Sequence, residues 1–378
     1  MKIVFSALSA HLGGGQTYLI NLFQFLPFGK DLEIRVFAPS SLKLRDHPRI
    51  RRDEPAWPTK NSIVRALWEK WVLPGILKAE KADVPFCPGG VVGTRAPAAC
   101  KVAKMFWSMN PLDLRVQKSL SLGLQQLRNW LLNRIMLKSI SEADLAIFIS
   151  NYARSIIESL TKAKELVTIH HGIGSVFWAL GKSAVCPDFL PGKKCISYVL
   201  RSDDYKHHFK VVSACGELSR ELCERFSLIL VGETNLPEAE RVKALIATLG
   251  LEDRALLLGA TPCQGLLLLY HHAHLNLFAS SCDNCPNILL DVLASGRPMI
   301  CSNVMPMPEF GSDAAVCFSP FDSQDIGQVL TEVLTNPKLL KKLAVATVAQ
   351  SDKFEWEDTS RKKCSELLAL AKLHKVGV

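Results

Sequence analysis

Short apolar runs alternate with longer helical stretches along this chain, and they do so in two successive series. The first series has strand-like runs at 2–7, 33–38, 84–87, 101–107 and 144–149. Between the second and third runs, the basic stretch 41–60 is predicted as a surface loop or short helix, and 61–81 as a helix with Trp68 and Trp71 on one face. The second series begins near residue 195 and contains CISYVL, SLILVG, ALLLG, LNLFAS, PMICS and AVCFS. Strands that alternate with helices form parallel sheets covered on both faces, so this order predicts an α/β protein.

Two tandem, doubly wound, Rossmann-like domains fit a length of 378 residues. We expect one domain in residues 1–180 and the other in 190–355. The stretch around 175–194 is interrupted by glycine and proline, which is typical of an interdomain linker. Because ligands of such sheets bind beyond the carboxyl ends of the strands, we expect a ligand in the cleft between the domains.

Composition excludes several classes of protein. Hydrophobic residues make up 48% and charged residues 21%, which rules out a disordered, collagen-like or coiled-coil chain. The 12 cysteines are scattered, and several lie inside apolar runs, which indicates reduced thiols in a cytoplasmic protein. The first apolar run breaks at His11 and three glycines, so it predicts a strand rather than a signal peptide.

Positive charge is concentrated in the first half. Residues 1–180 hold 24 Lys+Arg and 13 Asp+Glu, whereas the remainder holds 21 and 23. This asymmetry favours an acidic partner such as an anionic membrane. The basic stretch 115–140 is a candidate surface for contact with the inner face of that membrane. The alternative, slightly preferred here, is an ordinary helix packed on the first sheet. Nucleic acid is not expected, because the chain has no recognised nucleic-acid module.

Two polar turns are candidates for anion binding. Gly13-Gly14-Gly15-Gln16-Thr17 lies between the first strand and the first helix, where backbone N–H groups can approach a phosphate. For this loop alone, a plain tight turn is the preferred interpretation. Arg201 and Lys206 follow the first strand of the second series and suit a diphosphate. A solvated charged turn is the simpler reading of that second segment.

The segment 280–298, SSCDNCPNILLDVLASGRP, is the most informative. A strand ends, a turn holds Asp283, and a helix is predicted to start near Pro286 or Asn287. The helix N-terminus favours an anion, and Asp291 on its first turns can accept sugar hydroxyls. The two aspartates could equally complement the helix N-terminus. A zinc site at Cys282 and Cys285 is not expected, because two further ligands at suitable spacing are missing.

The ordered set of these motifs resembles the family 4 (group 1) glycosyltransferases of the GT-B fold. The resemblance covers nearly the whole chain and is strongest from Ser197 to Pro320. The family's E-x7-E motif is matched by Asp283-x7-Asp291, and its R-x4-K pair is matched by Arg201 and Lys206.

Further segments resemble the family in the same order. GGGQTYLINL is similar to its N-terminal glycine loop, and VTIHHGIG (167–174) to the segment that enters the linker. LLLGATP (256–262) is similar to the turn that contacts the nucleotide base. KFEWEDTS is similar to the start of a C-terminal helix, here 356–378, that crosses back to the first domain.

The resemblance implies retaining transfer of a hexosyl group from a UDP- or GDP-linked sugar to a glycan or lipid-linked acceptor, in assembly of a surface polysaccharide or glycolipid. The donor would bind mainly to the second domain and the acceptor to the first, without a metal or other cofactor. The implied catalytic residues are Arg201, Lys206 and Asp283. The implied donor-binding residues are Gly14, Gly15, Gly259, Thr261, Asn284, Cys285, Pro286, Asn287, Ile288 and Asp291.

Two departures from the family pattern favour an alternative. Both motif glutamates are aspartates here, and the stretch 106–111 lacks the histidine that many members place there. Trp107 and Asn110 are the expected acceptor or sugar contacts in that stretch, although Trp107 could instead be a packed core residue. The alternative function is a catalytically decayed GT-B protein that binds a nucleotide sugar or serves as a scaffold.

Overall fold

The computed structural model of the chain describes residues 1–11, 13–29, 32–57, 59–89, 96–98, 100–109, 111–113, 124–178, 186, 190 and 194–376. The chain divides into two compact units. Unit 1 comprises Met1–Gly172 and Trp356–Val378, and unit 2 comprises Ile173–Glu355. The division falls a few residues before the predicted end of the first domain, and much of the predicted linker lies outside the described residues.

Unit 1 is built on a seven-stranded parallel sheet of order β3-β2-β1-β4-β5-β6-β7. Its strands are β1 (Lys2–Ser6), β2 (Glu33–Phe37), β3 (Ile50–Asp53), β4 (Val84–Cys87), β5 (Ala103–Phe106), β6 (Leu145–Phe148) and β7 (Leu166–Thr168). Its described helices are α1 (Gly14–Gln24), α2 (Ser62–Trp71), α3 (Leu73–Ala79), α4 (Leu124–Ser141), α5 (Asn151–Leu160) and, at the end of the chain, α15 (Trp356–Val376).

Unit 2 is built on a six-stranded parallel sheet of order β10-β9-β8-β11-β12-β13. Its strands are β8 (Lys194–Val199), β9 (Phe226–Val231), β10 (Ala255–Leu257), β11 (Leu275–Phe278), β12 (Met299–Ser302) and β13 (Ala315–Phe318). Its described helices are α6 (Ser175–Trp178), α7 (His208–Gly216), α8 (Arg220–Arg225), α9 (Pro237–Thr248), α10 (Cys263–His272), α11 (Asn287–Ala294), α12 (Met307–Gly311), α13 (Ser323–Thr335) and α14 (Pro337–Ser351).

The prediction of two parallel α/β sheets is confirmed, and the apolar runs form the buried strands. All six residues of β9 are buried, which is typical of a parallel strand covered on both faces. No helix in the described part of the chain combines the length and apolarity needed to cross a membrane.

Three local predictions were wrong. The basic stretch 41–60, predicted as a loop or short helix, contains the edge strand β3. The single helix predicted over 61–81 is two helices, because Pro74 lacks the N–H that would continue the hydrogen-bond ladder of α2. Trp68 and Trp71 were predicted on one face, but Trp68 is 3% exposed and Trp71 is 62% exposed.

The last helix, α15, packs within unit 1. Thr359 Oγ1 donates to the carbonyl oxygen of His170 at 3.0 Å. The buried Lys363 ammonium lies 4.3 Å from the centre of the Tyr18 ring on α1. These contacts join the end of the chain to its first helix.

Candidate functional site

The order of the strands in unit 2 places two turns side by side. Chain order reverses between β8 and β11, which pair directly, with Tyr198 opposite Leu277. In an open parallel sheet this reversal is the switch point where ligands bind, beyond the carboxyl ends of the strands. The turn after β8 carries Arg201 and Lys206, and the turn after β11 carries Asp283.

Lys206 and Asp283 form the centre of the site. Lys206 Nζ donates to both carboxylate oxygens of Asp283, at 3.0 and 2.8 Å, and to Ser280 Oγ at 3.0 Å. The side chains are 8% and 21% exposed, so this is a largely desolvated ion pair. The structure therefore joins two predicted site residues that lie far apart in sequence.

Backbone bonds hold the two turns together around this pair. The N–H of Ser281 donates to the carbonyl oxygen of Tyr205 at 2.9 Å. Tyr198 Oη, from β8, donates to the carbonyl oxygen of Lys206. The Lys206 ammonium also lies 5.0 Å from the centre of the Tyr205 ring, within the range of a cation–π contact. Lys206 is thus positioned from several sides before any ligand binds.

Arg201 lies at the rim of this edge rather than beside Lys206. Its side chain is 58% exposed, and its Nε lies 3.5 Å from Glu233 and 3.7 Å from Asp203. Surface pairs of this kind are weak, so the guanidinium can exchange partners readily. The two cations of the predicted pair therefore differ in kind: one is fixed and buried, and the other is exposed.

The turns after β9 and β10 complete this edge of the sheet. Gly232 directly follows β9, and a Cβ there would lie 2.1 Å from the carbonyl oxygen of Leu200, so only glycine fits. The N–H of Gly232 donates to the carbonyl oxygen of Gly259 at 3.0 Å. Gly259 has φ +70° and leads to Thr261, which brings the predicted base-binding turn to the same edge.

Helix α11 begins at Asn287, as predicted. The N–H of Asn287 donates to Cys285, and Asn284 is buried in the turn just before the helix. The first N–H groups of a helix have no intrahelical acceptor, which gives this end a partial positive charge near Asp283. Pro286 precedes the first turn, and Ile288 follows in it.

Asp291 is the other carboxyl on this helix. Burial raises the pKa of Asp291 well above its ordinary range, so the group is favoured in its neutral form. Tyr270 and Cys263, both on α10, also have raised pKa values, chiefly because they are buried. A neutral carboxyl can donate as well as accept a hydrogen bond.

The glycine loop of unit 1 forms the start of α1. Gly13 has φ +64° and ψ −144°, a conformation open to glycine alone, and Gly14 is the first helical residue. A Cβ on Gly15 would lie 3.3 Å from Trp107 Cη2. The half-buried Trp107 ring also meets the Tyr18 ring edge-on at 5.3 Å, so it packs over the loop. Asn110 lies outside the described residues.

Helix α4 has apolar side chains on both faces. Met136 and Ile140 are buried, whereas Leu127, Trp130, Leu131 and Ile135 are between 45% and 54% exposed. The last four lie on one exposed stripe, since residues three or four apart share a helix face. The buried side agrees with the preferred prediction of a helix packed on the first sheet, since the Ser139 carbonyl oxygen of α4 accepts from Lys104 Nζ of β5 at 2.7 Å. The exposed side carries apolar as well as basic side chains. Residues 114–123 of the predicted basic stretch lie outside the described residues.

Several residues of the site were missed from the sequence. Ser280 and Ser281 contact Lys206 and Tyr205, His207 reaches Ser281, and Glu233 pairs with Arg201. The glycine directly after the buried strand SLILV was a usable signal of a close backbone approach. Among the described residues, no group of three or more His, Cys, Asp or Glu side chains is arranged to hold a metal ion.

The chain is similar to known proteins in both sequence and fold. Residues 188–348 match the family model described as "Glycosyl transferases group 1". The chain is similar to the serotype-specific mannosyltransferase WbdA of Escherichia coli, with 26% identity over 253 residues. This match covers 65% of this chain and 31% of WbdA. It thus spans about a third of that relative's length. The chain is also similar to the O-antigen chain mannosyltransferase B of Escherichia coli. The matched regions are 24% identical and cover 58% of this chain and 59% of that protein.

A solved structure supports the assignment of the fold. The chain is similar to the crystal structure of HepE from Anabaena in complex with UDP, with a TM-score of 0.73. The superposition covers 98% of this chain and 100% of the HepE chain. The two sequences are 16% identical, so this likeness concerns the fold.

Proposed function

We propose that this chain, which belongs to the group 1 glycosyltransferases and has the GT-B fold, transfers a hexosyl group from a nucleoside-diphosphate sugar to a glycan or lipid-linked acceptor. The transfer retains the configuration of the sugar and serves assembly of a surface polysaccharide or glycolipid. The names of the two Escherichia coli relatives support the polysaccharide role.

The observation that carries the proposal is the Lys206–Asp283 pair at the switch point of unit 2. A fixed ammonium held at the carboxyl edge of a parallel sheet suits the oxygens of a diphosphate. In the transfer, the bond between sugar and diphosphate breaks and negative charge grows on the departing oxygens. Lys206, the N-terminus of α11 and the exposed Arg201 stabilise that charge without moving far.

The remaining donor contacts follow from the same edge. Asp291 bonds the ribose hydroxyls, for which a neutral carboxyl can both donate and accept. The turn at Gly259 and Thr261 faces the base, and the donor nucleotide is UDP or GDP. Asp283 lies beside the sugar once the diphosphate has displaced its carboxylate from the Lys206 ammonium. Gly14 and Gly15 of unit 1 contact the donor, and Trp107 contacts the acceptor or the transferred sugar.

No metal is required in this proposal, because cations of the chain take its place at the diphosphate. Transfer should therefore proceed at an unchanged rate after treatment with EDTA. A loss of activity that Mg²⁺ or Mn²⁺ restores would contradict this part of the proposal.

Unit 1 contacts an anionic membrane through α4, at the inner face of the membrane. Leu127, Trp130 and Leu131 offer apolar surface to the lipid, and Arg134 and Lys138 on the same face suit anionic headgroups. The Arg134 guanidinium lies 5.1 Å from the centre of the Trp130 ring, which keeps charge and aromatic surface together.

Cosedimentation with vesicles tests this contact. Wild-type protein should bind vesicles that contain phosphatidylglycerol more strongly than vesicles of phosphatidylcholine alone. The double variant Trp130→Ala, Leu131→Ser should lose most of this binding. Ile63→Ser is the matched control, because Ile63 is an apolar residue that is 70% exposed on a different helix, α2. Equal binding by wild type and the double variant would exclude α4 as the contact.

The proposed activity is tested by Lys206→Ala. Transfer or hydrolysis of a sugar nucleotide should fall by about 100-fold or more, the scale expected when a group that stabilises developing charge is removed. Lys243→Ala, at an exposed lysine of α9 in the same unit, should leave the rate unchanged. An unchanged rate in Lys206→Ala would refute the assignment. Nucleotide-sugar binding by wild type, without turnover on any acceptor, would favour the decayed binding protein instead.

A further inference from the structure

His207, directly after Lys206, has a backbone conformation that is costly for its residue type. Its φ is +53° and its ψ is +33°, in the left-handed region. A residue with a Cβ is strained there, whereas glycine is not. An interaction that needs the imidazole would explain why a histidine holds this position.

The imidazole bridges the two turns of the site. His207 Nε2 lies 2.8 Å from Ser281 Oγ, in the turn after β11. The ring also meets Phe321 edge-on, with 5.0 Å between the ring centres. Ser281 in turn bonds Tyr205 through its N–H at 2.9 Å and its hydroxyl at 3.2 Å. His207 therefore adds a side-chain bond to a serine that already joins the two turns.

This bond runs alongside the ion pair of the site. His207 follows Lys206 by one residue, and Ser281 precedes Asp283 by two. A diphosphate that binds Lys206 competes with Asp283 for the same ammonium, so the ion pair weakens as the donor enters. The His207–Ser281 bond involves neither charged group and can hold the turns together through that exchange.

We propose that His207 is a positioning residue, which clasps the turn of Lys206 to the turn of Asp283 so that the ammonium stays in place when a nucleoside diphosphate displaces its carboxylate. The inference rests on the proposed function, since it assumes that Lys206 binds the donor diphosphate. It adds a residue that acts through Lys206 rather than on the substrate itself.

Two variants separate the clasp from ordinary stability. His207→Ala and His207→Gly both remove the imidazole, so both should weaken the binding of UDP or GDP by the same factor, about three- to tenfold in calorimetry. Only His207→Ala keeps a Cβ in the left-handed region, so it should also unfold more easily than His207→Gly. His207→Gln, whose amide can again bond Ser281, should recover most of the affinity.

Amide hydrogen exchange provides a readout that needs no ligand. The N–H of Ser281 bonds Tyr205 across the two turns, so its exchange should be faster in His207→Gly than in wild type, as measured by mass spectrometry on a peptide that covers 279–286. Amide hydrogen exchange in β9 is the internal control, and its rate should be the same in wild type and His207→Gly. Unchanged exchange at Ser281 would mean that the clasp does not hold the turns.

The outcomes separate this inference from the proposed function. If wild type binds UDP or GDP and His207→Gly binds it equally well, the positioning role is wrong and the proposed function stands. A loss of affinity in His207→Ala but not in His207→Gly would assign the effect to backbone strain and would also overturn the inference. If wild type binds neither nucleotide, the proposed function fails and the donor-positioning role fails with it, while exchange at Ser281 still decides whether the clasp exists.

Discussion

The stability of unit 1 should depend on pH through one buried carboxyl, that of Glu69. Glu69 is 6% exposed on α2, and its Oε1 accepts a hydrogen bond of 2.7 Å from Ser6 Oγ, at the end of β1. Burial raises its pKa from 4.5 to about 7, against the opposing effects of Ser6, Arg65 and Lys104. The folded state therefore holds this proton more tightly than the unfolded state does.

The direction and size of this pH dependence follow from the linkage between proton binding and folding. Below pH 4.5 the carboxyl is neutral in both states, and its contribution to stability is fully present. Between pH 4.5 and about 7 the folded state binds more protons than the unfolded state, so the free energy of unfolding falls as pH rises. The difference between the two pKa values corresponds to a loss of about 3 kcal/mol, complete above pH 7.

Glu69→Gln removes this dependence, because the amide stays neutral at every pH. In urea unfolding, the free energy of unfolding of the variant should rise by about 3 kcal/mol relative to that of wild type as the pH goes from 4.5 to 8. Tryptophan fluorescence suits the assay, since every tryptophan except Trp178 lies in unit 1. Glu158→Gln is the matched control, because the Glu158 side chain is 57% exposed on α5. A difference between wild type and Glu69→Gln that stays constant with pH would refute the reasoning.

Three further changes have expected outcomes. Gly232→Ala should destabilise unit 2 by about 3 kcal/mol or more, because its Cβ would meet the Leu200 carbonyl oxygen at 2.1 Å; a normal midpoint in urea would contradict this. Asp283→Asn should cost about 1–3 kcal/mol, since it leaves the 8% exposed Lys206 ammonium without its carboxylate, and thermal unfolding that matches wild type would argue against a structural pair. Gly13→Ala should lower the melting temperature through strain at φ +64°, whereas Gly29→Ala, where a Cβ meets open space at ordinary φ, should not.

The alternation of strands and helices could be predicted from local pattern, because buried parallel strands are continuous apolar runs wherever they lie in the fold. The start of α11 was equally local, since a proline marks a helix N-terminus, and Pro286 lies at the N-cap directly before Asn287. The resemblance to group 1 glycosyltransferases came from short motifs in a fixed order, and such motifs are visible in the chain alone.

Features decided by neighbours in space had no such signal. The strand β3 is charged, IRRD, and it is a strand because the edge of β2 offers it hydrogen bonds. The burial of Trp68 and the exposure of Trp71 depend on what packs against each face of α2. The two faces of α4 could not be assigned because both are apolar, so periodicity alone could not say which one meets the sheet.

The candidate site combines both kinds of information. Arg201, Lys206, Asp283 and Asp291 were found from the sequence, because their residue types and spacing are chemical signals. The bond between Lys206 and Asp283 could not be predicted from the sequence, because 77 residues separate them. Only the reversal of strand order between β8 and β11 brings their turns together. Interactions between residues close in sequence determine which segments become strands and helices. Contacts between distant segments depend on the order of the strands in the sheet, and that order is determined by the packing of the whole unit.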